Sequence, residues 1–339
     1  MNPSSKYPTV AQIAREAGVS PSTVSRVLNH QSLVKEETYQ AVVEVLKSHG
    51  YPFQEKQNRA SARNNVLIIN APALDNPFYN EIIRGAKAGA LRHGYHLLIN
   101  EDFLNHNTLA RFLEILRKVS AVGVITLNSI PLAILKEISS RIPLVQCCEF
   151  NDEIDLPYVS IDDFEAGKIA TEHLISHGCR RIAFLSGPME YKYARYRQKG
   201  YAQALLTAGI EPDPNLVVTF PEINYELAIA STMQLLRTAA PPDGFVTTSD
   251  VYAASVIRGA HLVGMRIPQD LKVIGFDNID ISAMTIPSLT TIDQPQMRLG
   301  LMACELLIEK ITAPSIPNKT ILLDTELIVR ESTSLSVSR

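Results

Sequence analysis

Ser22, Ser25, Arg26 and Asn29 bring hydroxyl, guanidinium and amide groups together at three- and four-residue spacing. That spacing gathers side chains on one face of a helix. Such a face can bind phosphates and base edges, and an arginine can grip the O6 and N7 of a guanine with two parallel hydrogen bonds. The flanking residues say what must hold it in place. Val24, Val27 and Leu28 give the same segment an apolar face, Ser20 is a natural N-cap, and Pro21 falls at the first helical position. Upstream, Thr9 and Gln12 form a capping-box pattern, and Ile13, Ala14 and Ala17 recur at helical spacing. Gly18 stands where the chain must turn sharply. Residues 9–29 therefore read as a helix-turn-helix whose second helix meets DNA. The start of such a helix lies deepest in the major groove, so Pro21 and Ser22 are expected at base edges and Arg26 at a guanine one turn on. Thr9, Ser20, Thr23, Ser25 and Asn29 suit phosphate or sugar contacts, which position without specifying.

Charge is distributed to match. The chain of 339 residues has a net charge of −3. Residues 1–65 carry eight lysines and arginines against five glutamates, a net of +3 that leaves −6 on the remainder. A small basic module on an acidic body confines phosphate-contacting charge to one end. No apolar run approaches the ~20 residues of a membrane span, and MNPSSKYPTV has no secretory pattern. Cys147, Cys148, Cys179 and Cys304 have no metal-ligand spacing and read as reduced thiols in a cytoplasmic protein. No metal or cofactor is expected. The phosphate-loop pattern G-x-x-x-x-G-K-S/T, the dinucleotide pattern G-x-G-x-x-G and the nucleophile elbow G-x-S-x-G are all missing, so catalysis has no support.

A third helix is expected over 36–49, with Val42, Val45 and Leu46 inward, followed by a polar linker over 54–65. From Val66 onward ten short β-branched runs (VLIIN, HLLIN, VGVITL, PLVQCC, YVSID, RIAFLSG, LVVTF, GFVTTS, KVIGFD, LTTID) alternate with helical stretches such as 80–93, 166–177 and 228–237. That alternation implies parallel sheets covered by helices on both faces. About 270 residues of it exceed one open sheet, so two α/β lobes are expected. Ligands of such sheets bind at the carboxyl ends of strands. The polar and aromatic residues just after strands are therefore the candidates: Asp75, Asn76, Phe78 and Tyr79, then Glu149 and Phe150, then Asp250 and Asp277.

Val19, Ser20, Thr23, Val24, Ser25, Arg26, Leu28 and Asn29 fill the run V-S-x-x-T-V-S-R-x-L-N. The segment resembles the headpiece of the LacI/GalR family of bacterial transcription regulators. The resemblance extends through GPMEYKYARYRQKGY, SDVYAAS, VIGFDNIDIS and PSLTTIDQP, roughly the whole chain. It implies a helix-turn-helix headpiece over 1–53, a hinge over 54–65 and a two-lobe effector domain of the periplasmic-binding-protein type I architecture. Its N-terminal lobe would comprise 66–162 and 293–325, and its C-terminal lobe 163–292 and 326–339. Arg197 and Asp277 resemble the family's pocket arginine and aspartate, and Gln294 matches a position near the cleft. Such a pair suits sugar hydroxyls, a ribose or a carboxylate, and could equally be an ion pair bridging the lobes. Ile223 stands about where many relatives carry a stacking aromatic, and Ala60 where many carry a hinge leucine that wedges into DNA. Phosphate contacts from Lys56, Arg59 and Arg63 would then matter more. LDNPFYNEIIRG and CEFNDEIDLPYVSID look more like cytidine-responsive members than lactose or purine types. The resemblance thus implies a homodimeric repressor of a palindromic operator, modulated by a nucleoside or sugar. The alternative is a two-lobe sugar-binding protein or enzyme with no DNA role.

Overall fold

The computed structural model describes residues 8–29, 34, 36–49, 51, 65–71, 74, 76–221 and 224–334. The chain forms two compact units, Met1–Asn64 and Asn65–Arg339. In the first, α1 (Val10–Glu16), α2 (Pro21–Asn29) and α3 (Glu36–Ser48) enclose a small core. Thr9 and Gln12 cap each other's backbone N–H groups, at 2.8 Å and 3.4 Å. Gly18, at φ +65°, turns the chain between the helices, and Ser20 Oγ accepts from the Thr23 N–H at 3.2 Å. Ile13, Ala14, Val24, Val27, Tyr39, Val42, Val43 and Leu46 are buried together. Val45, expected inward, is only half-buried, because α3 packs against both other helices and presents a face centred on Val42, Val43 and Leu46.

The second unit opens with β1 (Val66–Asn70), α4 (Phe78–Arg92), β2 (His96–Asn100), α5 (Leu109–Lys118) and β3 (Ala121–Thr126). It continues through α6 (Leu132–Ser139), β4 (Leu144–Cys147), β5 (Tyr158–Ile161), α7 (Asp163–Ser176), β6 (Ile182–Ser186), α8 (Lys192–Thr207) and β7 (Val217–Thr219). Next come α9 (Tyr225–Leu236), β8 (Gly244–Thr247), α10 (Asp250–Leu262), β9 (Lys272–Asp277) and the short α11 (Ile281–Met284). Last are β10 (Thr290–Asp293), α12 (Gln296–Thr312), β11 (Thr320–Leu323) and β12 (Glu326–Ile328). All ten expected runs form strands, trimmed by up to two residues where they pass into turns. The strands make two sheets of six, ordered β11-β5-β4-β3-β1-β2 and β12-β10-β9-β8-β6-β7. Sequence periodicity did not mark β11 or β12, which are short sheet-edge strands without clean alternation. The second departs from an all-parallel arrangement, because β12 runs antiparallel to β10. The chain passes from one sheet to the other after Ile161, after Asp293 and between Leu323 and Glu326. Among the described residues no helix is long and apolar enough to cross a membrane.

The first two passages each deliver a helix onto the opposite lobe, where it packs on the helix that follows that lobe's first strand. Thus α7 crosses α8, and α12 crosses α4. Glycines set both distances. A Cβ on Gly167 would lie 2.5 Å from the Arg197 carbonyl oxygen, and one on Gly200 2.1 Å from that of Phe164. In the other lobe a Cβ on Gly300 would meet the Ile82 carbonyl oxygen at 1.8 Å. These contacts are backbone on backbone, so no side-chain rotation relieves them. Gly167→Ala is expected to push α8 off α7 and destabilise the fold by about 1–3 kcal/mol, the usual cost of overpacking. At roughly 2–4 °C per kcal/mol for a domain this large, melting should fall by several degrees. An unchanged melting temperature would show that the helices do not cross this closely.

Candidate functional site

Two surfaces carry the residues singled out by the sequence. On the first unit, Pro21, Ser22, Ser25 and Arg26 are exposed on α2, opposite buried Val24 and Val27. Thr23 is half-buried. Thr9 and Ser20 are exposed and also serve as caps, with Ser20 Oγ 2.8 Å from both Ser22 Oγ and Thr23 Oγ1. These short bonds fix the amino end of α2, leaving Arg26 to project one turn further along. Asn29 ends α2, but its side chain lies outside the described residues, as do Lys56, Arg59, Ala60 and Arg63.

The second surface is a cavity of about 440 Å³ between the two sheets, lined from both lobes. The N-terminal lobe contributes Phe78, Tyr79 and Glu149, and the C-terminal lobe Tyr193, Arg197, Tyr252 and Asp277. Gln294 lines it from the second passage between the lobes. Parallel strands aim their carboxyl ends at this space, so both lobes present loops and helix starts to it.

Beneath the cavity lies a buried chain of charge. Asp163 accepts from Lys192 Nζ at 2.5 Å and from Arg197 Nε at 2.8 Å. Arg197 Nη1 donates to the Thr248 carbonyl at 2.8 Å and lies 4.0 Å from Asp277 Oδ1. Its guanidinium stacks 3.4 Å from the centroid of Phe276. Gln294 Nε2 donates to Asp277 Oδ1 at 2.7 Å, and Gln296 Nε2 donates to the Asp277 carbonyl. Burial alone would raise the Asp163 carboxyl, but Arg197 and Lys192 outweigh it and hold the group below its ordinary value. At Asp277 the balance reverses. Burial pushes the carboxyl well above the usual range, and Arg197 only partly offsets it. The two neighbouring carboxyls are thus pushed in opposite directions, Asp163 downward by its two cations and Asp277 upward by burial.

Both lobes meet at Glu149. Its carboxylate, carried just after β4, accepts from the Lys192 N–H at 2.6 Å and the Tyr193 N–H at 3.0 Å. It therefore caps α8 of the opposite lobe, a helix whose own preceding residue, Tyr191, supplies no side-chain cap. Lys192 Nζ reaches back to Ser160 Oγ at 2.9 Å. Burial raises the Glu149 carboxyl, partly countered by Lys192 and the Tyr193 N–H. Backbone strain gathers at the same place: Cys148, Asp277 and Asn278 hold φ of +67°, +108° and +53° without being glycine. Such conformations cost of order 1–3 kcal/mol each and cluster at functional sites.

Of the residues expected in the cleft, Phe78, Tyr79, Glu149, Arg197, Asp277 and Gln294 line it, with Asn76. Asp250 and Phe150 do not. Asp250 points into the fold, accepting from Thr291 Oγ1 at 2.6 Å and the Ile279 N–H at 2.9 Å, and burial pushes its carboxyl up to about 7. Phe150 turns outward to stack on Tyr158, with ring centroids 3.9 Å apart, and lines a separate polar cavity of about 120 Å³. Asp75 and Ile223 lie outside the described residues. Arg197 and Asp277 both belong to the C-terminal lobe, so they are not a bridge between lobes; Glu149 and Lys192 are. Sequence reasoning missed Asp163, Lys192 and Ser160. The adjacent acids Asp162 and Asp163 were the available signal: the first caps α7 by accepting from the Glu165 N–H at 3.0 Å, which leaves the second to turn inward. Among the described residues no cluster of histidine, cysteine and acidic side chains could hold a metal.

Known proteins bear on both surfaces. Residues 9–52 match the model of bacterial regulatory proteins of the lacI family, and residues 171–333 that of the periplasmic binding protein-like domain. The chain is 33% identical over 328 residues to the HTH-type transcriptional repressor CytR of Escherichia coli, covering 96% of each. It is 31% identical to the ribose operon repressor of Halalkalibacterium halodurans, covering 96% of this chain and 97% of that one. A solved complex of the transcriptional regulator CelR with cellobiose superposes with a TM-score of 0.72 at 29% identity, covering 96% of this chain and 99% of that one. These curated relatives are repressors of transcription and not enzymes. With a lacI-type helix-turn-helix at its start and full-length similarity to such repressors, the chain belongs to the lacI family of bacterial transcriptional regulators.

Proposed function

We propose that this regulator binds a near-palindromic operator as a homodimer and releases or grips it according to a small metabolite, a nucleoside or sugar, held in the interlobe cavity. The observation that carries the DNA half is the exposed face of α2, where Arg26, Ser22 and Pro21 stand clear of a fully packed three-helix core. A folded headpiece presents such a face rigidly, as base reading requires. Lys56, Arg59 and Arg63 are assigned to phosphate contacts on sequence grounds.

The metabolite half is supported by the cavity itself. Its volume of about 440 Å³ suits a nucleoside or disaccharide, and its rings can cover apolar sugar or base faces. Relatives include a ribose operon repressor and a regulator solved with cellobiose. The hydroxyl of Tyr252, buried without a protein partner, is placed to meet a ligand hydroxyl. Dimerisation is supported by β2, an edge strand whose Leu98 and Ile99 are exposed, as is Leu91 of α4. An apolar open edge is a place where a second copy of the chain can pack.

Two substitutions test the two halves. Arg26→Ala should lose roughly 1–3 kcal/mol of discrimination between operator and random DNA, the worth of one bidentate base contact. A gel-shift series at two salt concentrations reads this, and equal operator preference in mutant and wild type would refute the role. In the cavity, Arg197→Ala and Asp277→Ala should each weaken metabolite binding tenfold or more, since each strands a buried polar partner at about 1–3 kcal/mol. Operator affinity without metabolite should change far less, and Arg197→Ala should uncouple the two. Calorimetry showing wild-type affinity in both variants would place the metabolite elsewhere.

A further inference from the structure

We propose that the cleft is built for an uncharged metabolite, and that Glu149 excludes its phosphorylated form by occupying the anion position at the start of α8. This rests on the reading that the interlobe cavity holds the metabolite.

A helix start attracts anions, because its first N–H groups are unpaired and its dipole is positive there. Several helices, among them α4, α7, α8 and α10, begin beside this cavity, so the architecture offers several places for a phosphate. These four already carry a cap from the protein. Asn76 Oδ1 accepts from the Phe78 N–H at 3.1 Å at α4. Asp162 takes the Glu165 N–H at α7, and Ser249 Oγ takes the Tyr252 N–H at 3.3 Å at α10. At α8 no neighbouring side chain serves, and Glu149 arrives from the other lobe to hold two N–H groups. Its carboxylate sits where a ligand phosphate would otherwise dock, beside the ammonium of Lys192.

The remaining charges agree. Among the described residues the cavity is lined by four acids, Glu149, Asp163, Glu190 and Asp277, against one base, Arg197. Arg197 is committed to Asp163, to the Thr248 carbonyl and to the face of Phe276. Lys192 is committed to Asp163 and Ser160. A phosphate entering this space would meet the carboxylates of Glu149, Asp163 and Glu190 and two cations already paired with Asp163, whereas a neutral ring would meet Phe78, Tyr79, Tyr193 and Tyr252.

The test is calorimetry of the full-length protein with ribose, cellobiose and the four common ribonucleosides, each compared with its phosphate ester. At least one neutral compound should bind, and its phosphate ester should bind at least a hundredfold more weakly. Glu149→Gln keeps the side-chain shape and removes the charge, so it should narrow that ratio at least tenfold. Glu149→Ala bares the two N–H groups beside Lys192, so there the ester should gain absolute affinity while the neutral parent does not. Melting curves establish that both variants are folded. A phosphate ester that binds wild type as tightly as its parent overturns the proposal, as does an unchanged ratio in both variants. Binding of none of the compounds, neutral or phosphorylated, defeats the cleft reading itself and the proposal with it.

Discussion

Asp163 occupies the point on which the effector unit turns. It begins α7 immediately after the chain leaves the first sheet, and it holds Lys192 and Arg197 of α8 on one buried carboxylate. Two cations on one anion would be costly in a dry interior unless every remaining donor found a partner. Here further partners share the cost: Lys192 continues to Ser160, and Arg197 to Thr248 and the face of Phe276. The reward is positional. The passage between lobes, the start of α8 and the floor of the cavity are fixed by one set of bonds, and a change in any one is felt by the others.

The glycine contact between α7 and α8 makes that arrangement possible. Only because Gly167 lets the Arg197 backbone approach so closely can the arginine reach Asp163 from a neighbouring helix. The same device recurs where α12 meets α4, so each lobe is clasped by a helix that has just crossed from the other. Any change in the angle between the lobes would therefore move Glu149 relative to α8 while α7 and α8 travel together. That is a discrete contact made or broken, the kind of element through which a ligand can shift a population between two states.

Much of this was legible in the sequence, for reasons that can be stated. The caps at Thr9 and Ser20, the turn at Gly18 and the two apolar helix faces of the headpiece are local signals, and the helix-turn-helix follows from them. Parallel strands buried on both faces read as continuous β-branched runs, so all ten expected strands were recoverable, whereas the edge strands β11 and β12 lacked that signature. Arg197, Asp277, Phe78 and Tyr79 were within reach because cleft residues follow strands or resemble a family pattern. Direction was harder. Asp250 follows a strand as Asp277 does, yet it turns inward to Thr291, and Phe150 finds Tyr158 instead of the cavity. Lys192 lies in a stretch rich in lysine and arginine that reads as a solvated helix face. Its burial is decided by Asp163 and Ser160, residues far away in the chain, and no local pattern announces it.

The central claim, that Asp163 and the α8 cations act as one buried unit, is tested most directly by a double-mutant cycle between Asp163→Asn and Lys192→Met, read by denaturant unfolding of the full-length protein. Removing one member of a buried pair strands the other and typically costs 3–5 kcal/mol. The account predicts that the double variant is less destabilised than the two single losses combined, by about 1 kcal/mol or more. Losses that add within about 0.5 kcal/mol, as for independent sites, would contradict it.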